Sequence, residues 1–362
     1  MVLTSSIGYP LSFSISVTPS QLSSADITAL LTEQSAVWLH ADDTQLTLQF
    51  SQPTALLAQA VPIAPIKFKP GASSIRLFGR AIDSALLYQL CQLLPGDIAL
   101  QATLFKPHPA LAAAVIIKLS SALTAAQQQH LLSFASLQQL ELVYLDKPVL
   151  LSQPGLLVMD MDSTAISIEC IDEIAALAGV GPQVAAVTAR AMNGELDFAA
   201  SLTERVAALK NAPQSILQQV VTDLPLMPGL TELVSYLHQM QWQVAIASGG
   251  FTYFTDVLKQ QLGLSATVAN VLEIDNGLLT GRVVGDIVDA NTKARVVTEL
   301  AARYNIAAGQ TVAIGDGAND LPMLKTAALG VAFHAKPKVQ AAASARINQG
   351  SLLQLLYLLD PA

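Results

Sequence analysis

From about residue 150 onward, short apolar runs alternate with stretches of helical periodicity. LLVMD, VAIAS, TVAIGD and LGVAF each read as a strand with hardly a polar interruption, and each is followed by a helical stretch. Near-continuous apolar strands belong to a parallel sheet covered on both faces, so the pattern predicts a doubly wound α/β domain over 150–362. Ligands of such folds sit outside the carboxyl ends of the strands, where Asp160, Ser248 and Asp316 fall. Between LLVMD and VAIAS lies a helical insertion of about residues 165–225, too long for an ordinary crossover and expected as a cap over those strand ends. VANVLEIDNGLLTGRVVG predicts a β-hairpin at the rim, turning at Asn276 and Gly277.

Upstream the rhythm differs. Residues 73–147 read strand, helix, strand, strand, helix, strand, the order of a split βαβ or ferredoxin-like unit. Residues 12–60 repeat part of that order in SFSISV, ADITALLTEQ, AVWLHA and QLTLQF. DKPVLLSQPG, with two prolines and a closing glycine, marks a boundary, so an N-terminal α+β domain is expected over 1–147. It shows no clustered acids, paired histidines or phosphate loop, which points to regulation or oligomerisation rather than a second active site. Ferredoxin-like units can pair sheet edges, so a homodimer is one expectation.

Composition narrows the function classes. A hydrophobic fraction of 52% over 362 residues leaves ample material for two cores and argues against disorder. The net charge of −8, with charged residues at 13%, offers no basic surface for nucleic acid. No segment reaches the roughly 18 uninterrupted apolar residues of a spanning helix. The first twenty residues lack a positive start and a small-residue cleavage site, and Cys91 and Cys170 lie far apart, so a cytoplasmic location is expected. The five histidines are dispersed without metal spacing.

The chemistry gathers at strand ends. Asp160 and Asp162 close the run LLVMDMD, and like charges that close call for a cation. Oxygen-only ligands suit Mg²⁺, which keeps waters and a substrate phosphate; a polar strand end or a helix-capping aspartate is the plainer alternative. IGDGANDLPML adds Asp316 and Asp320 after another strand, with Asn319 and Asp320 also placed to cap the following helix. In IASGG the Ser248 hydroxyl and the backbone N–H groups at Gly249 and Gly250 would suit an anionic oxygen. Lys293 stands near a helix start, unfavourable for a cation unless a phosphate lies near, or else a solvated surface lysine.

In this order, Asp160-Met161-Asp162-Ser163-Thr164, Ser248, Lys293 and Gly315-Asp316-Gly317-Ala318-Asn319-Asp320 resemble the motifs of the haloacid dehalogenase superfamily. DMDST, SGGF and GDGAND resemble more closely its phosphoserine phosphatase family, over about residues 150–345. The resemblance implies a Rossmann-like haloacid dehalogenase core with a helical cap, and an ACT-like, ferredoxin-type N-terminal extension as such bacterial phosphatases often carry. It implies hydrolysis of O-phospho-L-serine to L-serine and phosphate, the last step of serine biosynthesis. Asp160 would be the nucleophile forming an aspartyl phosphate, and Asp162 the proton donor and acceptor. Asp160, the Asp162 backbone carbonyl and Asp316 would hold Mg²⁺, while Ser248, Gly249 and Lys293 hold phosphoryl oxygens and Asn319 and Asp320 orient them. Transport ATPases of the superfamily have threonine where Asp162 stands, and its dehalogenases lack this acid too, so hydrolysis is expected.

Phosphoserine also carries an ammonium and a carboxylate, so a selective pocket needs an acid and a base together. The insertion offers Glu169, Asp172, Glu173, Arg190, Glu195, Asp197, Glu204, Arg205 and Lys210, and spacing does not choose among them. By resemblance, Glu169 takes the ammonium and Arg205 the carboxylate, with Met192 and Phe198 as an apolar wall; ordinary packing within the cap is the other reading of those two. Alternatives are a phosphotransferase using phosphoserine, a phosphatase of another small phosphomonoester, or a non-enzymatic amino-acid-binding regulator.

Overall fold

The structure, a computed structural model, describes residues 12–34, 36–50, 61–63 and 73–361. The chain forms two compact units, one of the described residues up to Pro148 together with Leu356–Asp360, the other of Val149–Leu355 with Pro361. The start of the chain, read above for a secretion signal, lies outside the described residues as far as residue 11, as do residues 51–60 of the partial repeat.

The first unit runs β1 (Ser12–Val17), α1 (Ser24–Glu33), β2 (Val37–Ala41), β3 (Leu46–Phe50), β4 (Val61–Ile63), β5 (Ser74–Phe78), α2 (Ser84–Gln92), β6 (Leu100–Phe105), β7 (Ala114–Leu119), α3 (Ala125–Leu137) and β8 (Glu141–Leu145). The strands make one antiparallel sheet in the order β4-β1-β3-β2-β6-β7-β5-β8. Its second half, β6-β7-β5-β8, is the split βαβ arrangement expected from residues 73–147, and β4-β1-β3-β2 has the same strand order in mirror sequence. The two halves meet where β2 pairs β6, with Trp38 opposite Gln101, so these two edges are joined within one chain. Alternation explains the faces: Ile75 and Leu77 join the core with Leu86, Leu90 and Leu131 of the helices. Arg76, between them, is buried elsewhere and pairs with Asp360 at 3.1 Å. Phe78, also on that face, stacks on Tyr357 with ring centroids 4.6 Å apart, and the Tyr357 hydroxyl donates to the Ala112 carbonyl at 2.7 Å. The sequence reading ran the second domain to 362; Leu356–Asp360 instead pack with the first unit, through contacts more than 240 residues apart along the chain.

The second unit is built on a seven-stranded sheet. Its elements are β9 (Leu156–Met159), α4 (Cys170–Leu177), α5 (Gly181–Met192), α6 (Phe198–Ala208), α7 (Ser215–Thr222), α8 (Leu230–Gln239), β10 (Gln243–Phe251), α9 (Thr252–Leu262), β11 (Ala266–Asp275), β12 (Leu278–Val284), α10 (Ala290–Arg303), β13 (Thr311–Gly315), α11 (Leu321–Thr326), β14 (Leu329–Phe333), α12 (Pro337–Ala342) and β15 (Ala345–Ile347). The order is β12-β11-β10-β9-β13-β14-β15, parallel throughout except for the hairpin strand β12. Every residue of β9, β13 and β14 is buried, which is why these strands read as unbroken apolar runs. β9 lies between β10 and β13, so the carboxyl ends carrying Asp160, Ser248 and Asp316 are adjacent. Helices α4–α7 form the cap, and its two roots are tied together: Ser167 N–H donates to the Pro225 carbonyl at 3.0 Å and Met227 N–H to the Ala165 carbonyl at 2.9 Å. Among the described residues no helix is long and apolar enough to cross a membrane.

Candidate active site

The β9 chain leaves the sheet at Asp160, whose N–H donates to the Ile314 carbonyl of β13 at 3.0 Å. One turn follows at once, with Thr164, Ala165 and Ile166 N–H groups all directed to the Met161 carbonyl. The turn brings Asp160 and Asp162 to one cavity of about 110 Å³, whose lining also includes Glu169, Phe198, Arg205, Gly249, Asp316 and Asn319. Met161, between the two acids, is fully buried and does not line the cavity. Seven of the residues expected at the site therefore line one space together with Asp162.

Behind the cavity sits the lysine. Lys293, 1% exposed, reaches Asp160 Oδ1 at 2.7 Å and Asp320 Oδ1 at 2.8 Å. It is not a solvated surface lysine, and Asp320 is not a helix cap: its other oxygen accepts from the Gly317 N–H at 2.9 Å, leaving α11 without a side-chain cap. The helix that carries Lys293, α10, is capped by Asp289, which accepts from Thr292 N–H at 2.7 Å. Burial pulls the Lys293 amine down, yet Asp160 and Asp320 outweigh it and hold the group above its ordinary value. Asp160 is displaced upward, by burial first and by Asp320 second, against the pull of Lys293.

Carboxylate oxygens of Asp160, Asp316 and Asp320 lie within 4.8 Å of one another. Three carboxylates face one ammonium there, an excess of negative charge that a cation would neutralise. Burial, then Asp320, pushes Asp316 up to about 6, and its Oδ1 accepts from the Thr164 hydroxyl at 3.1 Å. An all-oxygen set of this kind is able to hold a small hard metal ion.

Asp162 differs from Asp160 in having no lysine at hydrogen-bond distance. Burial and then Glu169 push it up to about 7, although the Cys170 N–H donates to its Oδ1 at 3.1 Å. Near neutral pH it is therefore poised to give or take a proton. Glu169 is held from the other side by the Ser163 hydroxyl at 2.8 Å. Ser163 takes a left-handed backbone, φ 57°, to make the turn.

The SGG turn packs against the cap. A β-carbon on Gly249 would stand 2.6 Å from Phe198 Cζ, so only glycine lets the backbone come this close to the aromatic ring. Ser248 is buried with its Oγ accepting from Gly250 N–H at 2.9 Å, and it stands behind the cavity lining rather than in it. Arg205, in the last turn of α6, is half-buried on the cap side of the cavity, and burial lowers its guanidinium somewhat. Met192 departs from the expected apolar wall: at the C-terminal end of α5 it is 70% exposed and does not line the cavity. Its wall position is filled by Ile171 and Leu202, buried cap residues with nothing in their local sequence to distinguish them from ordinary packing.

Three supporting groups were given no role by the sequence reading, although Thr164 closes the DMDST motif. Thr164 and the Cys170 N–H act on Asp316 and Asp162 as described. Asn270, 1% exposed on β11, donates to the Gly249 carbonyl at 2.8 Å and accepts from Val288 N–H at 2.8 Å, joining the SGG turn to the segment that enters α10. For Asn270, an asparagine within a strand run was the available signal.

Residues 155–328 match the haloacid dehalogenase-like hydrolase family. A phosphoserine phosphatase of Vibrio cholerae is 58% identical over 212 residues, 59% of this chain and 65% of that protein, so the chain spans just under two thirds of that relative's length. A phosphoserine phosphatase of Haemophilus influenzae is 56% identical over 222 residues, 61% of this chain and 71% of the relative. Among solved structures, a probable phosphoserine phosphatase from Vibrio cholerae in unliganded form superposes with a TM-score of 0.67 at 46% identity, covering 80% of this chain and 86% of that one. With the strand-end acids, the buried lysine and the cap assembled as above, the chain belongs to the phosphoserine phosphatase family of haloacid dehalogenase-like hydrolases.

Proposed function

We propose that the protein hydrolyses O-phospho-L-serine to L-serine and inorganic phosphate, with Mg²⁺ as cofactor. The observation that carries this reading is the sharing of one cavity by Asp160, Asp162 and Asp316 on the sheet side and Glu169 and Arg205 on the cap side. A substrate with a phosphate at one end and an ammonium and carboxylate at the other matches that division of charge.

The chemistry follows from the placement of each group. One carboxylate oxygen of Asp160 is engaged by Lys293 and by the Met161 N–H at 2.8 Å, which leaves the other to attack phosphorus. The P–O bond to the serine oxygen breaks as the aspartyl phosphate forms, and Asp162 gives its proton to that oxygen. Water then attacks the acyl phosphate, Asp162 takes a proton from it, and the Asp160 carboxylate is regenerated. Mg²⁺, bound by Asp160, the Asp162 carbonyl and Asp316, would supply positive charge that offsets the repulsion between nucleophile and phosphate. Lys293, Ser248 and Gly249 N–H would stabilise the phosphoryl oxygens, with Asn319 and Asp320 orienting them. On the cap, Glu169 would face the ammonium and Arg205 the carboxylate, with Phe198 as the apolar side.

Phosphate release across a panel of phosphorylated metabolites, with and without Mg²⁺, tests the reading. It expects phosphoserine to give the highest kcat/KM and chelation to abolish turnover. Preference for another phosphomonoester, or transfer of phosphate to an added alcohol in place of water, would overturn it.

A further inference from the structure

The hairpin β11–β12 reaches the cap through its backbone. Asn211 N–H donates to the Leu279 carbonyl at 2.8 Å, Leu279 N–H to the Ala212 carbonyl at 2.9 Å, and Gln214 N–H to the Gly277 carbonyl at 2.8 Å. Pro213 and Leu278 form an antiparallel bridge at the same place. Residues 211–214 thus add a short third strand to the hairpin, immediately after α6. That helix carries Phe198, Leu202 and Arg205, spaced four and three residues apart on one face and all lining the cavity.

We propose that the hairpin is a brace that sets the position of α6, and so of Arg205, over the cavity, with Gly281 as the positioning residue of that brace. Backbone hydrogen bonds fix the junction whatever the side chains; the spacing is decided at Gly281. This residue has φ 82°, and a β-carbon there would stand 3.0 Å from Lys210 Cβ, 3.2 Å from the Ala207 carbonyl oxygen and 3.3 Å from Ala207 Cα. Two of those three contacts are backbone of the last turn of α6, so any larger residue pushes on the helix itself. Leu279, 2% exposed, fills the space beneath the junction. A glycine inside a strand is a mark of such close approach. The cap is consequently held at its paired roots and again at the hairpin, and a helix fixed near Arg205 presents that guanidinium to a substrate carboxylate without further ordering. The inference rests on the proposed reading of Arg205 for its kinetic consequence, and on the geometry alone for the brace.

Gly281→Ala is compared with Gly285→Ala, which has a similar φ of 78° but open space around its β-carbon, so that backbone strain is common to both and pressure on α6 is not. In the intact protein, G281A should raise KM for phosphoserine on the order of tenfold. Its kcat/KM for p-nitrophenyl phosphate, which has neither ammonium nor carboxylate, should stay within about twofold of the parent, and G285A should change neither. Amide exchange at Asn211, Leu279 and Gln214 should be slow in the parent and faster in G281A only. If G281A does not fold, Leu279→Ala must show the same split between the two substrates. Equal losses on both substrates, the same KM change in G285A, or an unchanged KM in folded G281A would overturn the proposal. So would amides at the junction that exchange freely in the parent. Slow exchange at the junction in a parent that ignores phosphoserine would instead count against the substrate reading and leave the brace supported.

Discussion

Lys293 is buried between Asp160 and Asp320, and removing it would leave two buried carboxylates without their counter-charge. Breaking a buried pair costs about 3–5 kcal/mol, so Lys293→Met should lower the denaturation midpoint by that equivalent when measured in chelator. An unchanged midpoint would mean that the amine does not balance these acids. Asp162 supplies a pH prediction with a definite sign. Its folded value, about 7, lies above the ordinary 3.8, so between the two the native state holds a proton that the unfolded state has released. The stability linked to that group is therefore fully present below about pH 4, falls as pH rises from about 4 to 7, and is lost above that window. Asp162→Asn has no such dependence, so in chelator its Tm relative to the parent should climb across the window. A difference that stays constant with pH would remove the upward shift of Asp162.

At the scale of elements, the cap places Glu169, Phe198 and Arg205 in the same cavity as the strand-end acids, and the proposed selectivity rests on them. Arg205 is presented by α6 on the cavity side, and a hydrogen bond to a charged group is worth about 1.5–3 kcal/mol. Arg205→Ala should then raise KM for phosphoserine by roughly ten- to a hundredfold while sparing an aryl phosphate; equal effects on both would remove Arg205 from the substrate carboxylate. The elements themselves were legible to different depths. β9, β10, β13 and β14 were readable because burial on both faces leaves an apolar run, and the hairpin because Asn276 and Gly277 suit a turn with positive φ at both positions, here 49° and 78°. The burial of Lys293 was not, since a lysine in the first turns of a helix is ordinarily solvated and its two acidic partners are 133 and 27 residues distant in sequence. Met192 was placed in the cavity wall by resemblance, but the end of α5 turns it outward, and nothing in MNGELDF fixes the direction of a helix terminus.

At the scale of the molecule, the chain ends by contributing Leu356–Asp360 to the first unit. Arg76 is held there through one nitrogen by Asp360, while its Nε and Nη1 are buried without a hydrogen-bond partner among the described residues. Asp360→Ala should destabilise that unit by about 3–5 kcal/mol, whereas the paired change Arg76→Met with Asp360→Leu should recover most of the loss, because an ion pair out of water often does no better than apolar packing. Calorimetry of both variants decides it, and a single substitution without cost would show that the pair contributes nothing. This contact escapes sequence reading because it is made by residues 284 positions apart in a segment that continues the pattern of the second unit. For the molecule as an enzyme, the most direct measurement is rapid acid quenching with radiolabelled phosphoserine followed by peptide mapping. The account predicts alkali-labile label on Asp160, absent in a folded Asp160→Asn variant that no longer turns over. A variant that hydrolyses phosphoserine at the parental rate, or label carried by a different residue, would contradict it.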